Sequence, residues 1–132
     1  LEDEVTQVVV DGVEWLLLRR DIDELLTPAD ELRTTVRMLY RFDPLLLAHR
    51  DKRWLVPPTH HKQVFRIAGH IEGVVLDAGV AVATWRYVRK TGGLVITLEP
   101  FKNLSMRVRR AVEKQSQRIA SFLGLPLAEI TG

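Results

Sequence analysis

Two runs rich in β-branched and large apolar residues, Val5–Val10 and Val13–Leu18, flank the dipeptide Asp11-Gly12. Such runs favour strands, and Asp-Gly is the strongest short turn signal, so the chain opens on a predicted β-hairpin. Residues 21–26 read as a short acidic helix stopped near Pro28, and residues 27–34 as a loop and boundary. A strand over 35–40 leads to Phe42-Asp43-Pro44, where Phe42 is expected to be buried. Asp caps a helix start, and Pro at the first helical position loses only an N–H without an intrahelical partner. A short helix over 44–49 is therefore predicted, docked by Leu45-Leu46-Leu47, before His49-Arg50-Asp51-Lys52 returns the chain to solvent. Pro57-Pro58 breaks the chain, and Thr59 can cap a helix running to Arg66.

Strands are expected at 71–76, 80–90 and 94–99, separated by Asp77-Ala78-Gly79 and Thr91-Gly92-Gly93. In the middle one, Val80, Val82 and Val88 fall on one face and Ala81, Ala83, Trp85 and Tyr87 on the other. Two apolar faces imply cover on both sides, as in a small barrel or a sheet beneath helices. The last predicted helix starts at an Asn103 or Ser105 cap and ends at Gly124 and Pro126. Leu104, Val108, Ala111, Val112, Ile119 and Phe122 form its apolar stripe. Arg107, Arg110, Lys114 and Arg118 form a second, adjacent stripe.

Charge sharpens this picture. The net charge of +2 hides a split: residues 1–31 sum to −8 and residues 32–132 to +10. A basic segment of this kind suits a polyanion, and a row of four cations can be held for phosphates, whose neutralisation releases counterions. The other reading is a solvated helix face, with the acidic third neutralising the basic part. Arg86, Arg89 and Lys90 form a second basic group beside Thr91-Gly92-Gly93. Arg50, Lys52, Arg53, His60, His61 and Lys62 form a third around the Pro-Pro loop.

At 132 residues with 46% apolar content, the chain reads as one globular domain able to bury about two-thirds of its unfolded surface. It has no cysteine, which excludes disulfides and thiolate metal sites and makes a reducing cytoplasm the natural location. Its apolar runs are too short to span a bilayer.

The segment from Val36 to Lys52, centred on Phe42-Asp43-Pro44, resembles the signature of a family of bacterial winged-helix DNA-binding proteins. That family includes the AlkZ/YcaQ-like DNA glycosylases, which unhook crosslinked or alkylated bases. Asp77-Ala78-Gly79 leading to Thr84-Trp85-Arg86 resembles the family's hairpin. Leu98-Glu99-Pro100-Phe101, the basic helix and Ala120-Ser121-Phe122-Leu123-Gly124 are similar too, so the match covers roughly residues 35–124. Full-length members are far longer. The resemblance therefore implies the C-terminal part of a longer protein, and a first residue of Leu1 fits an excised piece. It also implies double-stranded DNA and the protein's own N-terminal winged-helix domains as partners, with the hairpin near a DNA groove.

The family's glycosylases carry a Gln-aliphatic-Gln or Gln-aliphatic-Asp motif in their N-terminal part. Gln115-Ser116-Gln117 has Ser in the middle and lies within a predicted helix, so it is read as coincidence and no catalytic residue is assigned. His60 and His61 are adjacent, point about 100° apart in a helix, and make a poor metal pair. No metal or cofactor is expected, and no phosphate loop or nucleophile elbow is present. Trp15, Trp54 and Trp85 read as core anchors rather than base-stacking platforms.

The sequence thus predicts an α+β domain. Its architecture would be a curved antiparallel sheet or partly open small β-barrel of about six strands, with short helices and a long C-terminal helix. Within it, residues 1–34 are an acidic hairpin and short helix, and 35–124 a family-like core. The expected role is duplex binding through the phosphates by Arg86, Arg89, Lys90, Arg107, Arg110, Lys114 and Arg118. The alternative is a structural or protein-interaction module without a nucleic-acid role, and an intact small enzyme is disfavoured by the missing motifs.

Overall fold

A computed structural model of the chain describes residues 3–27 and 29–132. Contacts divide it into two compact units, Leu1–Leu32 and Arg33–Gly132.

The first unit is the predicted hairpin. Strand β1 (Val5–Val10) pairs antiparallel with β2 (Val13–Leu18), and Asp11 and Gly12 both take positive φ, as a tight hairpin turn requires. A 3-10 turn and helix α1 (Ile22–Leu26) follow. The expected stop at Pro28 lies outside the described residues. None of the described residues up to Leu32 is fully buried.

The second unit holds a five-stranded sheet. Strands β3 (Val36–Leu39), β4 (Gly73–Asp77), β5 (Val80–Lys90) and β6 (Gly93–Pro100) form an antiparallel meander. Two features depart from expectation. Helix α4 (Met106–Phe122) is not the last element: strand β7 (Leu127–Thr131) follows and adds parallel to β6, making the sheet mixed. The sheet also does not close; its order is β3-β4-β5-β6-β7, with β1 and β2 in a separate sheet. A helix between two neighbouring strands is the crossover that parallel pairing requires.

Both faces of the sheet are covered. On one, Val36, Val75, Ala83, Trp85, Leu94 and Ile96 pack with Val108, Val112 and Ala120 of α4. On the other, Val74, Leu76 and Ala81 pack under Leu46, Leu55, Val56 and Val64. Ala81 and Ala83 were expected on one face but lie on opposite ones. Val75 pairs with Ala83 and Leu76 with Ala81, so Val82 is an extra residue, and this β-bulge reverses the alternation.

Helix α4 is capped at both ends. The Ser105 hydroxyl accepts from the Val108 amide. Beyond the helix, Leu125 N–H donates to the Ala120 carbonyl and Gly124 N–H to that of Ser121, with Gly124 at φ 68°. This is a Schellman ending, and glycine takes its left-handed position without a Cβ clash. Phe122, assigned to the apolar stripe, is 89% exposed instead. At its turn of the helix Ala120 and Ile119 face the sheet.

The cover on the opposite face is irregular. Helix α2 (Pro44–Leu47) begins as expected: Asp43 Oδ1 accepts from the Leu45 amide at 2.9 Å, with Pro44 at the first position. Leu46 is fully buried, whereas Leu45 and Leu47 are exposed. The helix expected from Thr59 to Arg66 is a 3-10 turn followed by helix α3 (His61–Val64), without a side-chain cap. Phe65 then turns to extended backbone and bridges Ile71.

Candidate nucleic-acid interface

The basic stripe of α4 lies on the β3 side of the helix, as two contacts fix. Arg107 donates to the Thr34 carbonyl at 2.8 Å and to Asp77 Oδ1 at 2.6 Å. Gln115 accepts from the Met38 amide at 2.9 Å and donates to the Val36 carbonyl at 3.0 Å. Arg107 is thus anchored at the first turn. Arg110, Lys114 and Arg118 are exposed, and among the described residues none is drawn into an ion pair.

The Gln115-Ser116-Gln117 triplet has no shared site. Gln115 is bonded to β3, Ser116 is fully buried beside the Met38 sulfur, and Gln117 is exposed. A Gln at this point of a helix is a sheet-edge clasp. Its signal in the sequence is a polar residue bordering the apolar stripe.

The second basic group sits where the hairpin outruns its neighbours. Strand β4 pairs with β5 only as far as Gly73 opposite Trp85. Residues 86–90 pair with β6 alone. At ~3.4 Å per residue this is an extension of roughly 17 Å. Arg86, Arg89 and Lys90 are exposed along it. Arg86 meets Glu99 at 3.1 Å. Both partners are about half exposed, so the pair is worth only about 0–1 kcal/mol and leaves Arg86 able to turn to another anion. The third group is partly spent within its own loop. Arg53 holds Asp51 at 2.6 Å and keeps that carboxyl down at a pKa of about 2. The Lys52 ammonium donates to the His49 carbonyl.

Between the extension and β3 lies a recess of about 260 Å³, floored by Gly73 and Trp85. Trp85 is buried, and its Nε1 donates to the Leu39 carbonyl at 2.8 Å. A Cβ at Gly73 would stand 2.9 Å from that nitrogen, so only glycine admits the indole here. The recess is bordered by an aromatic group: Tyr40 lies 5.6 Å from both Trp85 and Tyr87, and is stacked on the latter at 26°. A hydrogen bond with Tyr40, aided by burial, holds the Tyr87 hydroxyl above its ordinary pKa.

Three aromatic expectations meet mixed outcomes. Trp85 is the core anchor expected. Trp54 is 41% exposed, its Nε1 bonded to the Asp51 carbonyl and its ring edge-on to His49. Trp15 is half-buried in the hairpin unit. Phe42 overturns its reading more sharply. It is 46% exposed, and its φ of 60° is a left-handed value rare for a bulky residue. It occupies the third position of a turn closed by Asp43 N–H on the Tyr40 carbonyl, which points its ring outward.

Among the described residues no three His, Asp or Glu side chains are grouped to hold a metal ion, and no helix is long and apolar enough to cross a membrane.

Sequence and structure comparisons converge on one family. The chain is 35% identical over 124 residues to an interstrand DNA cross-link repair glycosylase of Streptomyces sahachiroi, covering 93% of this chain and 32% of that protein. It superposes on the solved structure of the Streptomyces sahachiroi DNA glycosylase AlkZ with a TM-score of 0.73 and 34% identity, over 96% of this chain and 34% of the other. The chain thus spans about a third of the length of these relatives. The family model described as DNA glycosylase AlkZ-like matches residues 1–122, and with it the chain belongs to the AlkZ-like DNA glycosylase family.

Proposed function

We propose that this chain is the part of an AlkZ-like protein that grips duplex DNA by its phosphates, and that it does not itself carry the excising residues. The observation that carries this reading is the stripe of Arg110, Lys114 and Arg118 on a rigid, doubly capped helix, exposed and outside any ion pair among the described residues. Arg107 anchors its near end, while Arg86, Arg89 and Lys90 on the extended hairpin supply further cations. Duplex binding of this kind is indifferent to sequence and falls steeply with salt. The partners are double-stranded DNA and the N-terminal winged-helix domains of the same protein, in the cytoplasm. The dispersal of Gln115, Ser116 and Gln117 supports the absence of the excising motif, and the whole protein's glycosylase activity would reside elsewhere.

The test is an affinity series over salt with short duplexes. Replacing Arg110, Lys114 and Arg118 by Gln should weaken binding and flatten the salt slope by about one unit per lost phosphate contact. Unchanged affinity and slope would remove the helix from the interface. The same protein should release no alkylated base; release that depends on Gln117 would return the motif to this chain. A second reading, a protein-interaction module, is favoured by the charge of −8 over residues 1–31. It predicts no duplex binding at low salt.

A further inference from the structure

The recess at the foot of the hairpin extension fits a planar ligand. We propose that it binds an unpaired base of DNA, stacked against Tyr40 and Tyr87; this rests on the DNA-binding reading above.

The argument begins with the rings. Tyr40 is 39% exposed, yet it is held in place. Its hydroxyl accepts from Arg41 Nε at 3.0 Å, its ring stacks on Tyr87, and the Arg41 guanidinium lies 5.3 Å from its centre. An ordered aromatic face at a basic surface is a stacking platform, with little freedom left to lose on binding. The polar wall is Glu72, whose side chain is only 16% exposed. Arg66 and His70 approach its Oε1 at 2.9 and 3.6 Å, and among the described residues no hydrogen bond is made to Oε2. Glu72 lines the recess, where its carboxylate can accept from an N–H such as a base offers on its pairing edge. Arg86 lines the recess, where its guanidinium can turn from Glu99 to the flanking phosphate. A paired base hides both its face and that edge, so only a base out of the stack meets the rings and the carboxylate together.

Phe42 adds an independent mark. It stands beside the recess, edge-on to His70 at 5.7 Å, in the left-handed backbone described above. Backbone strain of this kind collects at binding sites, where the surrounding structure holds it.

The experiment titrates the full chain into two duplexes carrying 2-aminopurine, one with that base paired and one with it as a single-base bulge. The bulged duplex should bind more tightly, and its emission should fall as the base stacks. Tyr40→Leu should remove roughly 5- to 150-fold of the affinity for the bulge and abolish the emission change, leaving the paired duplex and its salt slope alone. Tyr40→Phe should keep the emission change, and thermal melts of both variants verify their folding. Tyr87→Leu gives an independent loss should Tyr40→Leu not fold. Equal binding to both duplexes with no emission change would overturn the base site while leaving phosphate binding standing. Failure to bind either duplex would overturn the DNA reading, and deoxyadenosine monophosphate would then decide the recess. Shifts confined to the ring signals of Tyr40 and Tyr87 uphold a base site; no shift removes it.

Discussion

The two layers that cover the five-stranded sheet are built on opposite plans. On one face a single helix, α4, presents Val108, Val112, Ser116 and Ala120 from successive turns. On the other, residues 43–72 fill the space with two four-residue helices, 3-10 turns and loop, and Leu46, Leu55, Val56 and Val64 reach the sheet from separate pieces. The regular layer draws its local order from its own hydrogen-bond ladder. The irregular one depends on each anchor in turn; it contains one left-handed residue, Ala68, and another, Phe42, immediately precedes it. Order that comes from repetition spreads a loss over many residues, while order that comes from single anchors concentrates it.

Mutation can break this contrast. The largest effect is expected at Leu46, the one side chain of α2 that is fully buried. Leu46→Ala should cost about 2–5 kcal/mol, because a four-residue helix has nothing else to hold it and a cavity remains. A chemical melt checks the number, and a cost below that range would mean that the loop cover collapses into the gap. Next comes Gln115→Leu, which strips partners from the Val36 carbonyl and the Met38 amide. It should cost about 1–3 kcal/mol, with hydrogen exchange at Met38 accelerated ahead of the rest of the sheet. The cap at Asp43 is smaller: Asp43→Ala should cost about 0.5–2 kcal/mol and Asp43→Asn much less. Phe42 is the smallest. Its exposure lowers the penalty of Phe42→Ala below the ~3–5 kcal/mol of a buried Phe. Phe42→Gly should recover part of the ~1–2 kcal/mol that a left-handed backbone costs an L residue. A calorimetric melt in which Phe42→Gly falls as far as Leu46→Ala would show that the ring is an anchor after all.

The same contrast explains what could be read in advance. The hairpin at Asp11-Gly12, the Asp43-Pro44 start and the Ser105 and Gly124 ends are local chemistry, so they stand in the sequence as residue types at fixed offsets. The bulge at Val82 and the exposure of Phe42 are decided by what lies across the sheet or around a turn, and no spacing along the chain carries them. Strand β7 was missed because five residues with little alternation carry a weak signal, and its partner β6 is separated from it by a whole helix. Among the candidate site residues, the basic rows were legible as rows. That Arg107 and Arg86 have carboxylates to hold, from Asp77 and Glu99, depends on neighbours brought together only by folding. The recess was not legible at all, since its rings come from the end of β3 and from β5, and its carboxylate from just before β4.

The clasp of Gln115 on β3 has a further effect on how the molecule behaves in company. An open sheet has two outermost strands, and a bare outermost strand invites any extended chain to pair with it, including another copy of itself. Gln115 occupies one donor and one acceptor of β3 with an amide group shaped like a peptide unit. The helix thereby lends β3 a fragment of a sixth neighbour and blocks growth of the sheet from that side. Loss of this one side chain would leave that donor and acceptor open to another extended chain, and concentrated solutions should then self-associate more readily, as light scattering would show.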